Sequence, residues 1–347
     1  MTLPDPPTAR KPPGKPRRLG LYAPFGLLLV AVIGWSFAWL WLRGEVERRM
    51  DEGRAAMARG GYRLSWASRT LSGYPFRLDV TLTDAAVRAP SGWAVTAPTL
   101  KGEAFAFSPD HWIAVAPDGV VYTRRVGGAV VVKAKALRAS LSEADAHPPR
   151  VSVEGIGLTF TAEPGANPYF ITAADEVHLH TRAGPNDQGA AYFELDNAKA
   201  NFPGLIGRIA EGRPVSLIAD GIYSHAGALD GRDWAGAVRA WSAAGGALKV
   251  RRMRIAAGQA LLDAQAGTLG VGDDGRLTGI LTASLRQAPR ALTAMGRAGA
   301  ISPEALGSAA AVLGARAVGP AATVTIDFQA GQTTLGPVAI AAAPRIY

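Results

Sequence analysis

The sequence predicts a mainly β chain, a β-rich α+β fold, behind one N-terminal transmembrane helix, with antiparallel sheets in meanders and a few late helices packed on them. Three observations predict it. No charged residue occurs from Leu19 to Leu42. Apolar and polar residues alternate strictly through Phe76-Arg77-Leu78-Asp79-Val80-Thr81-Leu82-Thr83, the period of a strand with one buried and one wet face. Apolar runs then recur about every ten residues between turn signals. Gly 41 and Pro 24 in 347 residues exceed the roughly 12% of ordinary usage, which favours short elements joined by tight turns.

The 24 residues from Leu19 to Leu42 extend roughly 36 Å as a helix, enough for a hydrocarbon core of about 30 Å. Apolar side chains cover every face of that helix, unlike the single apolar stripe of a helix in a soluble domain. A secretory leader is shorter and ends in small residues. This segment ends in Trp35, Trp39, Trp41, Leu42 and Arg43, the aromatic and cationic pattern of a membrane–water interface, and Ser36-Phe37-Ala38 is a poor cleavage site, so it reads as an uncleaved signal anchor.

Residues 1–18 hold Arg10, Lys11, Lys15, Arg17 and Arg18 against Asp5, a net +4 of the formal +9, whereas the flank from Arg43 to Arg54 sums to zero. By the positive-inside rule the N-terminus is cytoplasmic and the remainder is exported, into the periplasm of a bacterium with two membranes. The Pro-rich stretch 1–18 reads as a disordered basic tail. Val46, Met50, Gly53 and Met57 recur at helical spacing and extend the anchor as a stalk over 43–60, ended by Gly60-Gly61. The exported domain is 61–347, with a soft boundary near 148, where His147-Pro148-Pro149 cannot continue a sheet.

After the strand at 76–83, further strands are predicted at 93–95, 101–107, 112–116, 120–124, 128–137, 151–161, 175–181, 190–195 and 215–223. Asp118-Gly119 and Asp274-Gly275 suit the positive φ of hairpin turns. Helices are predicted over 232–243, 289–298 and 303–313, the last with Ser302 as N-cap, Pro303 as first helical residue, Glu304 complementing the dipole and Gly314 ending it. Strands at 248–255, 261–269, 276–285, 322–328 and 336–342 complete the chain.

The absence of cysteine excludes disulfides, thiolate metal sites and cysteine nucleophiles. Gly270-Val271-Gly272-Asp273-Asp274-Gly275 matches G-x-G-x-x-G, but a strand pattern follows it and its two aspartates repel phosphate, so it reads as a turn. His178 and His180 share one face of a strand with Glu176 as an available third ligand, yet a solvated face of Glu176, His178, His180 and Arg182 is the simpler reading. Ser224-His225 with Asp220 has the residue types of a triad but no G-x-S-x-G elbow, and sequence neighbours rarely converge in space. No catalytic residue, cofactor or metal ligand is assigned.

Lys249, Arg251, Arg252 and Arg254 form a basic cluster, read as a solvated strand surface or as an attraction for anionic headgroups at about 1 kcal/mol per cation. Nucleic acid is not expected outside the cytoplasm. Ala104-Phe105-Ala106-Phe107 and Ala129-Val130-Val131-Val132 are apolar on both faces and need covering twice, by helices, a second sheet or an acyl chain. Phe105, Phe107, Val130, Val131 and Val132, with the three arginines, are therefore the candidate contacts for lipid or a partner.

The stretch from Gly61-Tyr62 to Thr123, with Leu71-Ser72-Gly73-Tyr74-Pro75-Phe76-Arg77-Leu78-Asp79-Val80-Thr81-Leu82-Thr83-Asp84, then Gly92-Trp93, Pro98 and Ala116-Pro117-Asp118-Gly119, resembles the bacterial domain-of-unknown-function 2125 family. That family similarly places one membrane helix before a G-[YF]-P-F-R strand, and ends near Leu-Gly-Pro followed by Ala-Pro-Arg, here Leu335-Gly336-Pro337 and Ala343-Pro344-Arg345. The resemblance implies fold and location; the family carries no established activity and no catalytic residues. At fold level, a membrane helix before a long β region is also similar to the AsmA-type envelope proteins associated with lipid traffic. The expected role is a non-enzymatic, inner-membrane-anchored periplasmic β protein in envelope maintenance or lipid contact, its partners the bilayer and phospholipid. The alternatives are an adaptor or assembly factor for a membrane protein complex and, third, a hydrolase.

Overall fold

The structure, a computed structural model, describes residues 19–347 other than 203, 230–232, 259, 287, 298, 300, 301, 316, 319, 320 and 337. The tail expected over 1–18 lies outside the described residues, as do Arg232 and Ala298 at predicted helix ends and Pro337 in the C-terminal motif.

The segments expected as anchor and stalk form one helix, α1 (Leu19–Arg59), and among the described residues it is the helix long and apolar enough to cross a membrane. Beyond Arg43 its surface changes character. Arg48 and Arg49 both pair with Glu45, at 2.6 and 2.7 Å, in the i,i+3 and i,i+4 spacing that suits a solvated helix. Higher up, Arg69 reaches Asp51 at 3.2 Å, and Trp66 lies under the guanidinium groups of Arg54 and Arg69, which fastens the stalk to the domain.

The chain continues as β1 (Arg63–Ser65), β2 (Ser68–Ser72), β3 (Arg77–Arg88), β4 (Ala94–Phe105), β5 (Ser108–Val115), β6 (Val120–Thr123), β7 (Ala129–Lys133), β8 (Ala136–Ser142), β9 (Arg150–Ala162), β10 (Ile171–Ala183) and β11 (Gly189–Ala200). Then come α2 (Gly204–Ala210), β12 (Val215–Tyr223), α3 (Trp234–Ala243), β13 (Leu248–Ala257), β14 (Ala260–Val271), β15 (Leu277–Arg286), α4 (Ala288–Arg297), α5 (Pro303–Ala315), β16 (Ala317–Val318), β17 (Ala321–Gln329), β18 (Gln332–Leu335) and β19 (Val338–Ala342). Every pairing among them is antiparallel, and they form one sheet. The mainly β architecture with late helices is thus as expected. Patterning did not single out β1, β2, α2, β16 or β18, which are short.

Three pairs of short strands are single strands broken once. β1 and β2 lie end to end along β3, β5 and β6 along β4, and β7 and β8 along β9. With these joined, each strand neighbours the one before and the one after it, a plain meander, except that the two-residue β16 lies on the far side of β17 from β15. Two expectations are corrected here. Asp118-Gly119 makes no hairpin: Val115 lies opposite Lys101 and Val121 opposite Thr96, so the chain keeps its direction and gains one residue. Gly119, at φ 78° with its N–H on the Ala116 carbonyl at 3.1 Å, shapes this kink, which acts as a bulge. The strand expected over 128–137 is likewise divided, between Lys133 and Ala136. Asp274-Gly275 does close a hairpin, β14 to β15, with Gly275 at φ 75°.

The soft boundary near 148 falls in the loop between β8 and β9, which pair from Ala136 opposite Ile156 to Ser142 opposite Arg150. At the far end of the sheet the last residues fold back on the β14–β15 turn. Leu277 and Ile346 exchange main-chain bonds with Pro344 and Gly275, and the Trp234 indole donates to the Ile346 carbonyl at 2.8 Å. The expected cap at Ser302 is present, its hydroxyl accepting from the Ala305 N–H at 3.2 Å.

Apolar packing is concentrated at four places, the smallest being Ala210 of α2 against Val215 and Ala257. Trp39 and Val46 of α1 cover Leu71, Leu78, Val80 and Leu82. Val130 and Val132 pack with Leu158, Ala174 and Leu195 at mid-sheet. Leu292 of α4 and Ala309 of α5 close over Leu281, Leu285, Val324 and Ile340.

Candidate functional site

Directly paired residues of an antiparallel sheet share a face. One row can therefore be followed through twelve strands: Val80, Gly102, Ala114, Ala139, Val153, Leu179, Phe193, Ala219, Met253, Ala264, Ala283 and Val324. None of these is polar. A second row on the same face runs Leu137, Gly155, Val177, Leu195, Leu217, Ile255, Leu262, Leu285 and Ala322. The two ends of the face are covered, by α1 over Val80 and by α4 and α5 over Leu285 and Val324. Between them the second row is packed at Leu195 by the Val130 and Leu158 cluster, and the face opens beside it, where Leu179 is 39% exposed and Leu141 of β8 is 40% exposed.

Where α1 leaves the sheet edge, Val46 and Met50 stand over Val80, Leu82, Leu100, Gly102, Trp112 and Ala114 around an open groove of about 280 Å³. Every side chain lining it is apolar. Gly102 keeps it wide, since a Cβ there would lie 3.7 Å from the Trp112 ring.

The opposite face is polar. Arg138, Glu154, His178 and Glu194 form one cross-strand row, and Ser140, Ser152, His180, Tyr192, Asp220 and Arg252 the next. Glu154, His178 and His180 each bring a ligand atom within 4.8 Å of the others, a two-histidine, one-carboxylate grouping of the kind that suits a transition-metal cation. The third member is Glu154, directly opposite His178, whereas Glu176 hydrogen-bonds the His178 Nε2 at 3.1 Å from the same strand. The Glu154 carboxylate is already held in an ion pair by Arg138. Tyr192 donates to Glu194 at 2.5 Å, and this bond, with desolvation and the carboxylate charge behind it, pushes the phenol up to about 12.

The triad residue types do not converge. Ser224 and His225 are in contact at 3.1 Å, but Asp220 is turned to Arg251, 3.7 Å away across the strand pair. Arg251 and Arg252 both flank Asp220, and Arg254 lies opposite Asp263, so the basic cluster belongs to the polar face and not to the apolar rows.

The apolar candidates divide. Val130 is wholly buried and Val132 nearly so, while Val131, on the other face, is half-buried. Phe105 and Phe107 are covered mainly by each other; they are 55% and 70% exposed and stack at 5.0 Å. The expected strand 101–107 ends at Phe105, and Phe107 occupies the turn into β5, outside the sheet's interior. Ser108-Pro109 immediately after it was the available turn signal.

In the anchor, Leu19 opens α1, and Leu42 and Arg43 are continuous with it. Trp41 points outward, but Trp35 and Trp39 turn to the protein: their indoles donate to the carbonyls of Pro75 and Arg77 at 2.8 and 2.9 Å. Their i,i+4 spacing was the signal that they share one side of the helix.

Fold and site define a helix-bearing, open antiparallel β meander with one apolar and one polar face. The sequence model of the family described as "uncharacterized protein conserved in bacteria (DUF2125)" matches residues 39–344, most of the chain, and the chain belongs to that family. No curated protein and no solved structure matches it, and the likeness to AsmA-type proteins finds no support there.

Proposed function

We propose that the chain is a non-enzymatic, single-pass protein of the bacterial inner membrane, with its N-terminus in the cytoplasm and its β domain in the periplasm, that contacts phospholipid through the apolar face of its sheet in maintaining the envelope. The carrying observation is the unbroken apolar row from Val80 to Val324, which begins beside the anchor helix and lies open at mid-sheet. Exposed contiguous apolar surface marks a binding site, and each acyl methylene laid on it contributes about 0.8 kcal/mol. At about 4.8 Å per strand, twelve strands span roughly 50 Å, longer than any single acyl chain. The orientation rests on the tail charge of +4 against a neutral distal flank.

The test is extraction of the full-length protein in mild detergent, native mass spectrometry of what stays bound, and cross-linking with a phospholipid carrying a diazirine on its acyl chain. Bound phospholipid and cross-links at the groove, Leu141 and Leu179 are expected. Protein free of lipid and uncross-linked would remove the lipid role. A stoichiometric protein partner on the same exposed face, in place of lipid, would make the chain an adaptor for a membrane complex.

A further inference from the structure

Two turns at one end of the sheet carry exposed aromatic rings that the domain itself leaves unpacked. Phe76 lies between β2 and β3, and Phe105 and Phe107 lie where β4 turns into β5. The two turns are joined, the Ala106 N–H donating to the Phe76 carbonyl at 2.9 Å. Their height along α1 is fixed by three bonds: Trp35 to Pro75, Trp39 to Arg77, and the Ser36 hydroxyl with the Tyr74 hydroxyl at 2.8 Å.

That height matters because Trp35 precedes Arg43, the first charge after the apolar run, by eight residues, about 12 Å of helix axis. The aromatic turns thus stand beside the apolar part of the helix and below its first charged residue. Immediately above them the strands become polar, with Arg77 paired to both Asp79 and Glu103. The next turns at the same end of the sheet, 143–149 and 184–188, hold Glu143, Asp145 and Asp187 and no aromatic ring other than His147.

Resting on the reading of α1 as a membrane span, we infer that Phe76, Phe105 and Phe107 enter the boundary between headgroups and acyl chains on the domain's side of the bilayer. Aromatic rings favour that layer, and interfacial elements sink about 5–10 Å into it, the depth that the helix bonds impose here. The domain is seated on the lipid at a set depth. The groove beneath Val46 and Met50, lined on β4 by Gly102 and Leu100, three and five residues from Phe105, then lies about 10–16 Å above the seated turns, past Arg43 on the headgroup side.

The chain has no cysteine, so full-length variants Leu28→Cys, Phe76→Cys, Phe107→Cys and Val126→Cys each accept one environment-sensitive fluorophore. Val126, an exposed residue in the β6–β7 turn at the opposite end of the sheet, reports water. In phosphatidylethanolamine/phosphatidylglycerol vesicles, labels at 28, 76 and 107 are expected to emit blue-shifted light and to be quenched by nitroxide-bearing lipid, and the label at 126 by aqueous iodide. If 28 is quenched from lipid while 76 and 107 behave as 126, the seating is wrong and the membrane span stands. If 28 is also reached by iodide, span and seating fall together.

Discussion

The indole N–H of Trp39 donates to the main-chain carbonyl of Arg77 at 2.9 Å, and the same ring meets Tyr74 edge-on at 5.5 Å. Trp39 is 5% exposed, so this contact, with that of Trp35, makes a rigid joint of the region between apolar helix and β domain.

Trp39→Phe keeps most of the packing but leaves the Arg77 carbonyl unpaired, which costs about 1 kcal/mol, whereas Trp39→Ala also opens a cavity and costs about 3–5 kcal/mol. Thermal unfolding of the full-length protein in nanodiscs should show a small fall in Tm for the first and a large one for the second. Equal falls would mean that the hydrogen bond contributes nothing separable.

Filling the groove should separate binding from folding. At Gly102 an added Cβ meets Trp112 at an ordinary 3.7 Å, so Gly102→Leu extends into open groove without displacing main chain. Replacing glycine in a strand lowers the entropy cost of folding by about 0.5–1 kcal/mol. Tm is therefore expected to hold or rise while cross-linking to acyl-diazirine phospholipid at the groove falls; undiminished cross-linking would show that lipid does not lie there.

The Tyr192 phenol, held by Glu194, is pushed up to about 12. The fold favours the protonated phenol, so the associated stabilisation is complete below the unfolded tyrosine pKa of about 10 and is lost as pH rises through the folded value. Burial also raises Tyr169 and Tyr223, so ultraviolet titration should show several late tyrosines, the last of which disappears in Tyr192→Phe, with Glu194→Gln moving it to lower pH. Survival of that late step in Tyr192→Phe would assign it to another residue.

Topology is tested by fusion. Alkaline phosphatase joined after Gly60 should be active in a two-membrane bacterium, and joined after Arg18 inactive. Exchanging Arg17 and Arg18 for glutamate should lower the activity of the first fusion, because it weakens the charge difference that orients the helix.

Much of the architecture was legible where the signal is local. The charge-free run ending at Leu42, the alternation through Leu78, Val80 and Leu82, the Asp274-Gly275 turn and the Ser302 cap each depend on residues adjacent in sequence. Asp118-Gly119 misled because turn chemistry specifies a left-handed φ but not a chain reversal; pairing with β4 kept the chain straight. The apolar row was hidden for another reason. Gly102, Ala114 and Ala139 carry almost no hydrophobic signal singly, and only the register of successive hairpins aligns them with Leu179 and Phe193. Glu154 joins His178 by the same cross-strand route, invisible in the spacing that drew attention to Glu176.

Because each strand other than the two-residue β16 adds to the edge left by those before it, the order in which the chain emerges is also the order in which the sheet can be laid down. The first hairpin to appear is the one that grips α1, and from then on a finished template waits for every newcomer. Contacts of this kind have short sequence separation and form early and fast, sparing the long search that sheets with crossed connections require. The turn back, where Arg345 meets Arg276, is different: it joins the β14–β15 turn to a segment that follows β19, and so closes like a latch on strands already laid down.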